Sequence, residues 1–297
     1  MRIALRTAAL TTTLVTLTMS TQATAGTVTP EVVNVVQTSD WNKPSPDPMG
    51  LTYRKSTKTI LVVDSEVEET PLFQGANVWE TTRSGTVVNT GSTTDFSEEP
   101  TDIAFRPKSL HMFVADDDED RIFDVNIGRD KKMGTPDDVV RGFSTRPFDS
   151  QDAEGLGYGH RTLFVSDGVD QRIYRLRPGP NGVFDGVAPG GDDRVTHFGT
   201  AGLGINDPED VEYDPVSDHL FIVSRFDSTV AETTRGGMLI STYDLTESEI
   251  LQPAGVAIGR SSTGTGRSLY VADRGFDNDL HPNENDGRIF EYRRSPA

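Results

Sequence analysis

The chain has 297 residues, no cysteine, and 46 acidic against 28 basic side chains, a formal charge of −18. These numbers exclude a disulfide scaffold, a thiol enzyme, an iron–sulfur protein and a cysteine zinc site. They also exclude a nucleic-acid binder, because so negative a chain repels phosphate backbones.

Residues 1–25 read as a targeting segment. Arg2 and Arg6 precede an apolar, threonine-rich stretch from Ala8 to Met19, and Ala23-Thr24-Ala25 supplies a small-x-small cleavage site. The apolar run is too short for a membrane span of about 20 residues. The expectation is a secreted protein, extracellular or periplasmic, cleaved near Ala25, with residues 26–297 as a single domain.

One short pattern then recurs: a polar residue, usually Pro, any residue, Gly or Asp, and an apolar residue. It occurs at Asp47–Leu51, Glu99–Ile103, Asp152–Leu156, Asp207–Val211 and Gln252–Val256, at spacings of 52, 53, 55 and 45 residues. Each copy leads through a turn into a second apolar run: TILVVD (59–64), HMFVAD (111–116), TLFVSD (162–167), HLFIVS (219–224) and SLYVAD (268–273). A third segment alternates with period two, as in RIFDV (121–125), RIYRL (172–176) and RIFEY (288–292). A fourth, such as TVVNTG (86–91) or DVVRGF (138–143), closes the unit.

Four short strands per unit describe a β-propeller blade, and radial stacking buries faces that a lone blade would expose. The predicted fold is all-β: one propeller of five four-stranded blades, with six as the alternative count. A parallel β-helix is the runner-up. The last unit shows three strands before the chain ends. The strand EVVNVV (31–36), ahead of the first copy, is expected to complete it and close the ring.

The segments VADDDEDRIFDV (114–125) and VSDGVDQRIYRL (165–176) resemble the NHL-repeat signature, a strand ending in Asp, a polar turn, then Arg-Ile and another strand. LYVAD…GRIFEY (269–292) matches with an insertion. The fourth unit departs, with Arg225 where the others carry Asp, and the first lacks the Arg-Ile pair. Over roughly residues 47–293 the chain is similar to the wider group of NHL modules, gluconolactonase or senescence-marker-like lactonases and paraoxonase-like propellers. The resemblance implies a propeller, most often six-bladed, often with calcium near the tunnel and in several members a hydrolase.

Propeller geometry places the connectors into each first strand, and the loops between second and third strands, on one face. Here that face is acidic, while the opposite turns carry Arg54, Lys55, Lys58, Arg106, Lys108, Arg161, Arg260 and Arg267. Crowded carboxylates raise their own pKa values or recruit a cation. Calcium suits oxygen-rich loops. By position, Glu154, Glu209, Asp116, Asp167 and Asp273 are the candidate metal ligands; the alternative is that they cap strand ends and form Asx turns. GRDKKMGTPDDVV (128–140) and GPNGVFDGVAPGGDDRV (179–195) are two versions of one element, read as third-to-fourth-strand turns rather than calcium loops.

Of the five histidines only His281, in the insertion 274–286, falls on the acidic face, where it could serve as a general base. Nucleophile-elbow, Walker and dinucleotide motifs are absent. Arg121, Arg172 and Arg288 recur at one repeat position and are expected to pair with loop carboxylates. Trp41 and Trp79 are read as packing residues. The leading functional expectation is a monomeric, calcium-binding module that takes a small molecule, glycan or protein at its acidic face. The alternative is a calcium-dependent hydrolase of lactones or phosphoesters; a calcium-dependent phytase is disfavoured by the scarcity of basic residues there.

Overall fold

The computed structural model describes residues 25–294. The predicted signal, bar Ala25, lies outside the described residues. Two short strands come first, β1 (Gly26–Val28) and β2 (Val32–Gln37). Blade 1 follows as β3 (Pro48–Arg54), β4 (Thr59–Asp64), β5 (Val78–Thr82) and β6 (Val87–Gly91). Blade 2 is β7 (Pro100–Phe105), β8 (His111–Asp116), β9 (Arg121–Asn126) and β10 (Val139–Ser144). Blade 3 is β11 (Ala153–Gly159), β12 (Thr162–Asp167), β13 (Arg172–Arg177) and β14 (Arg194–Gly199). Blade 4 is β15 (Pro208–Asp214), β16 (His219–Ser224), β17 (Thr229–Thr234) and β18 (Leu239–Asp244). Blade 5 has β19 (Pro253–Arg260), β20 (Arg267–Asp273) and β21 (Arg288–Arg293). Among the described residues the only helical pieces are four three-residue 3₁₀ turns.

The fold is thus an all-β, five-bladed propeller. Strand β2 pairs antiparallel with β21 and supplies the fourth strand of blade 5, so the N-terminal segment closes the ring. The sequence reading did not anticipate β1. It adds a fifth, parallel strand to the outer edge of blade 4, matching Gly26 to Ser241 and Val28 to Tyr243. Twelve residues of one segment therefore tie two neighbouring blades and cover an exposed strand edge.

The core is divided among the five seams between blades. Second strands are apolar on both faces because each face meets a different neighbour. In β4, Ile60 and Val62 pack toward blade 5 with Tyr270 and Ile289, while Leu61 and Val63 pack toward blade 2 with Ile103 and Val114. Trp41 and Trp79 pack together at the seam between blades 5 and 1, ring centroids 5.9 Å apart. Each indole N–H donates to a backbone carbonyl, that of Gly85 and that of Lys43.

Strand register corrects one sequence alignment. Pro208 pairs with Ser224 as Pro100 pairs with Asp116, so Ser224, not Arg225, stands at the strand-end Asp position. Asp227 takes over the missing role, accepting from Ser224 Oγ and from the backbone and side-chain amides of Asn206.

Candidate functional site: an acidic tunnel mouth

Every inner strand carries a one-residue β-bulge at the recurrent Pro-x-Gly/Asp element. A bulge re-aims the side chains on either side of it. Along the ring the residue after the x position reads Gly50, Asp102, Gly155, Asp210, Gly255. The bore is too narrow for a side chain at all five places. A Cβ on Gly50 would lie 2.2 Å from Asp102 Oδ1, one on Gly155 2.3 Å from the Asp210 Cα, and one on Gly255 2.3 Å from the Met49 carbonyl. The two aspartates fill the space and staple seams: Leu156 N–H donates to Asp102 Oδ2, and Val256 N–H to Asp210 Oδ2, each at 2.6 Å. They also meet each other as a carboxyl–carboxyl contact, and desolvation pushes Asp102 up to about 7 and Asp210 well above its ordinary range. Glu212, equally buried and raised, accepts a long 3.4 Å bond from Thr52 Oγ1.

Above this plug lies the mouth. Glu154 and Glu209 occupy the x position in blades 3 and 4, two residues after Asp152 and Asp207 in the connectors. Gly168, in the second-to-third-strand loop of blade 3, forms the floor of a cradle. A Cβ there would fall 2.8 Å from Asp207 Oδ1, 3.0 Å from Asp152 Oδ2 and 3.2 Å from Glu154 Oε2. Carboxylate oxygens of Asp117, Asp152 and Glu154 lie within 4.8 Å of one another. Glu154 Oε2, Asp117 Oδ1 and both Glu209 oxygens are covered and have no hydrogen-bond partner. Arg225 Nε lies 3.1 Å from Glu209 Oε1 but out of line for a hydrogen bond.

Burial and mutual repulsion drive these groups toward the protonated form. Desolvation, then Glu209 and Asp152, raise Glu154 well above the usual carboxylate range. Desolvation lifts Glu209 to about 8 despite Arg225, and Asp117 to about 6. Across the mouth, Glu66, Glu69 and Asp279 form a second cluster, where burial raises Glu66 to about 8. Arg274 is buried beside it and pairs with Asp47 at 2.6 Å and Glu66 at 3.4 Å.

The candidate ligands thus separate. Glu154 and Glu209 come together at the mouth. Asp116, Asp167 and Asp273 serve the backbone: Asp116 accepts from Ser97 Oγ and Glu119 N–H, and Asp167 from Ser150 Oγ and Asp170 N–H. Asp273 accepts from Leu251 and Gln252 N–H and pairs with Arg288 at 2.5 Å. Asp152, Asp207 and Asp117 join the cradle without having been singled out; the i, i+2 spacing of Asp152/Glu154 and of Asp207/Glu209 was the available signal. His281 is exposed and packs edge-on against Phe276. Arg121 and Arg172 pair with Glu119 and Asp170 of the preceding loops.

Fold and mouth together define an acidic five-bladed propeller with a carboxylate cradle at one end of its bore. Neither a protein-family model nor a curated protein matches the sequence. Solved structures resemble it in fold. Glutaminyl cyclase from Myxococcus xanthus is 12% identical, with 91% of this chain and 97% of that one covered and a TM-score of 0.54. Regucalcin from Agrobacterium tumefaciens, described as a calcium-binding protein, is 13% identical over 92% and 98%, TM-score 0.51. The PQQ-bound aldose sugar dehydrogenase of Streptomyces coelicolor is 15% identical over 89% and 98%, TM-score 0.52. The propeller architecture that the NHL-like segments implied is therefore shared, at identities that speak for fold alone.

Proposed function

We propose that this chain is a secreted, monomeric propeller that holds calcium at its acidic tunnel mouth and presents that face to a small molecule, glycan or protein. The observation that carries the proposal is the convergence of Asp152, Asp207 and Glu154 oxygens over Gly168, with covered, unpartnered oxygens of Glu154, Glu209 and Asp117 beside them. Burying anionic oxygens without donors is costly unless a cation or protons neutralise them. The donors are all hard oxygens, which suits calcium rather than zinc or copper. Glu154, Asp152, Asp207 and Asp117 would hold the ion, and Glu209 would balance it against Arg225. The regucalcin neighbour's description as calcium-binding is in keeping with this reading.

Calcium titration calorimetry on chelator-stripped protein tests it. Loss of one calcium-binding event when Glu154 and Glu209 are changed to Gln supports the mouth site. Calcium binding that is indifferent to both changes, or no binding at millimolar calcium, overturns it.

A further inference from the structure

The structure assigns a second, peripheral divalent-cation site, of calcium-like oxygen chemistry, to the loop between β13 and β14 on the outer part of blade 3, formed by Asp185, Asp192 and Asp193. It is independent of the tunnel mouth.

The same turn is built twice, and only one copy gains the site. In blade 2, Gly128 faces Asp137, and a Cβ there would lie 2.2 Å from Asp137 Oδ2; in blade 3, Gly179 faces Asp192 Oδ1 at 2.1 Å by the same measure. In blade 2, Asp138 Oδ2 accepts the N–H groups of Gly134 and Thr135. In blade 3, Asp193 Oδ2 accepts those of Asp185 and Gly186. The hydrogen bonds thus align Asp185 with Gly134 and Gly186 with Thr135. Blade 3 has Asn181 where blade 2 has Asp130, carries its third carboxylate at Asp185 beside the pair instead, and loses the threonine whose hydroxyl reaches Asp137 and Asp138. It also lacks the two lysines, Lys131 and Lys132, that offset charge in the blade 2 loop.

The consequence is an unmet oxygen. Asp193 is only 7% exposed, and its Oδ1 is covered and has no hydrogen-bond partner. Carboxylate oxygens of Asp185, Asp192 and Asp193 lie within 4.8 Å of one another. Bare Gly191 opens the loop's inner wall: a Cβ there would lie 2.3 Å from Asp185 Oδ1 and from the carbonyl oxygens of Asp185 and Gly186. Carboxylates plus main-chain carbonyls, with no histidine in the loop, form a donor set that favours calcium. The same loop seats Phe184 in the core between blades 2 and 3, against Phe113 at 5.1 Å. A cation here would pin that seam from outside.

The test uses stripped full-length protein carrying Glu154→Gln and Glu209→Gln, so that mouth binding does not contribute. Calorimetry should show one equivalent of calcium, weakened about tenfold or more by Asp185→Asn or Asp192→Asn, and unaffected by Asp137→Asn in the blade 2 turn. Calcium should also slow amide exchange over residues 182–191 in the parent and not in Asp185→Asn. Because Asp185 accepts only within its own loop, this variant is expected to fold normally. Absence of calcium uptake in the mouth-disabled protein, or uptake and exchange protection indifferent to Asp185 and Asp192, overturns the assignment. If the mouth proposal fails instead, unaltered protein retains a single site sensitive to Asp185 and Asp192 and indifferent to Glu154 and Glu209.

Discussion

Asp102 of blade 2 fills the space left by Gly50 of blade 1 while its other oxygen accepts the Leu156 amide of blade 3. One side chain therefore sits among three blades. Its contact with Asp210 makes full ionisation of both groups unfavourable. Asp102→Asn keeps an acceptor for Leu156 and offers an N–H to Asp210. It should stabilise the protein at pH 8 and reduce the pH dependence of its melting. Asp102→Ala leaves the Leu156 amide unmet and should cost about 1–3 kcal/mol. Urea unfolding of both variants separates these outcomes.

Gly50→Ala and Gly255→Ala should each cost at least about 1–3 kcal/mol by overpacking, because the added methyl meets neighbouring backbone at both places and, at Gly50, the buried Asp102 carboxylate as well. Gly182→Ala is a poor control, since its φ of +75° is itself strained for alanine. Gly202→Ala, with open space around it, should change little. Thermal melts of the three variants check the ranking.

Stability without calcium should fall as pH rises from 5 to 9. Folded-state pKa values are raised, to about 6 for Asp64, about 7 for Asp102 and about 8 for Glu66 and Glu209. The folded protein thus holds protons that the unfolded chain releases near pH 4. The stabilisation is complete below the unfolded pKa and is lost as pH climbs through 6 to 8. Asp214, held down by the Val216 amide and Arg267, and Glu232, held down by His219 and Arg294, act oppositely and weaken the fold at lower pH. Melts in a chelator should place the optimum in mildly acidic buffer; a melting temperature that rises steadily to pH 9 contradicts this.

Glu154→Gln removes the most crowded buried charge at the mouth. It should raise the melting temperature of the calcium-free protein at pH 8 and shrink the increment calcium provides. A destabilised variant with an intact calcium increment would assign Glu154 a purely structural role.

Removing residues 26–37 strips the outer strand from blade 5 and the added strand from blade 4. Trp41 packs beside Val36 at that closure. The truncation should shift tryptophan emission to the red and broaden unfolding, while removal of residues 26–29 alone should leave the emission in place.

Five copies of a Pro-x-Gly/Asp element were enough to count blades, because each inner strand needs the same bulge where it meets the bore. The pairing of EVVNVV with the last blade was readable from a missing strand. Strand β1 was not, since Gly-Thr-Val has no pattern long enough to distinguish it from a tail. Within the mouth, composition located the acidic face but did not separate carboxylates aimed at backbone amides from those aimed at one another. Asp116 and Asp167 look like Glu154 in sequence; what divides them is a serine some 17 to 19 residues upstream, Ser97 or Ser150, that donates to the former pair. That distinction is made by tertiary contact.

The Gly–Asp alternation around the bore has a geometric consequence. Two-fold alternation cannot be completed on a ring with an odd number of members, so one junction must place like beside like. Here it falls between Gly255 and Gly50, the junction of blades 5 and 1, and no bore aspartate bridges it. That junction borders blade 5, the blade that the N-terminal strand β2 completes, and the buried Arg274–Asp47 pair spans it. A parity mismatch at the axis is thus offset at the rim, beside the blade that closes the circle.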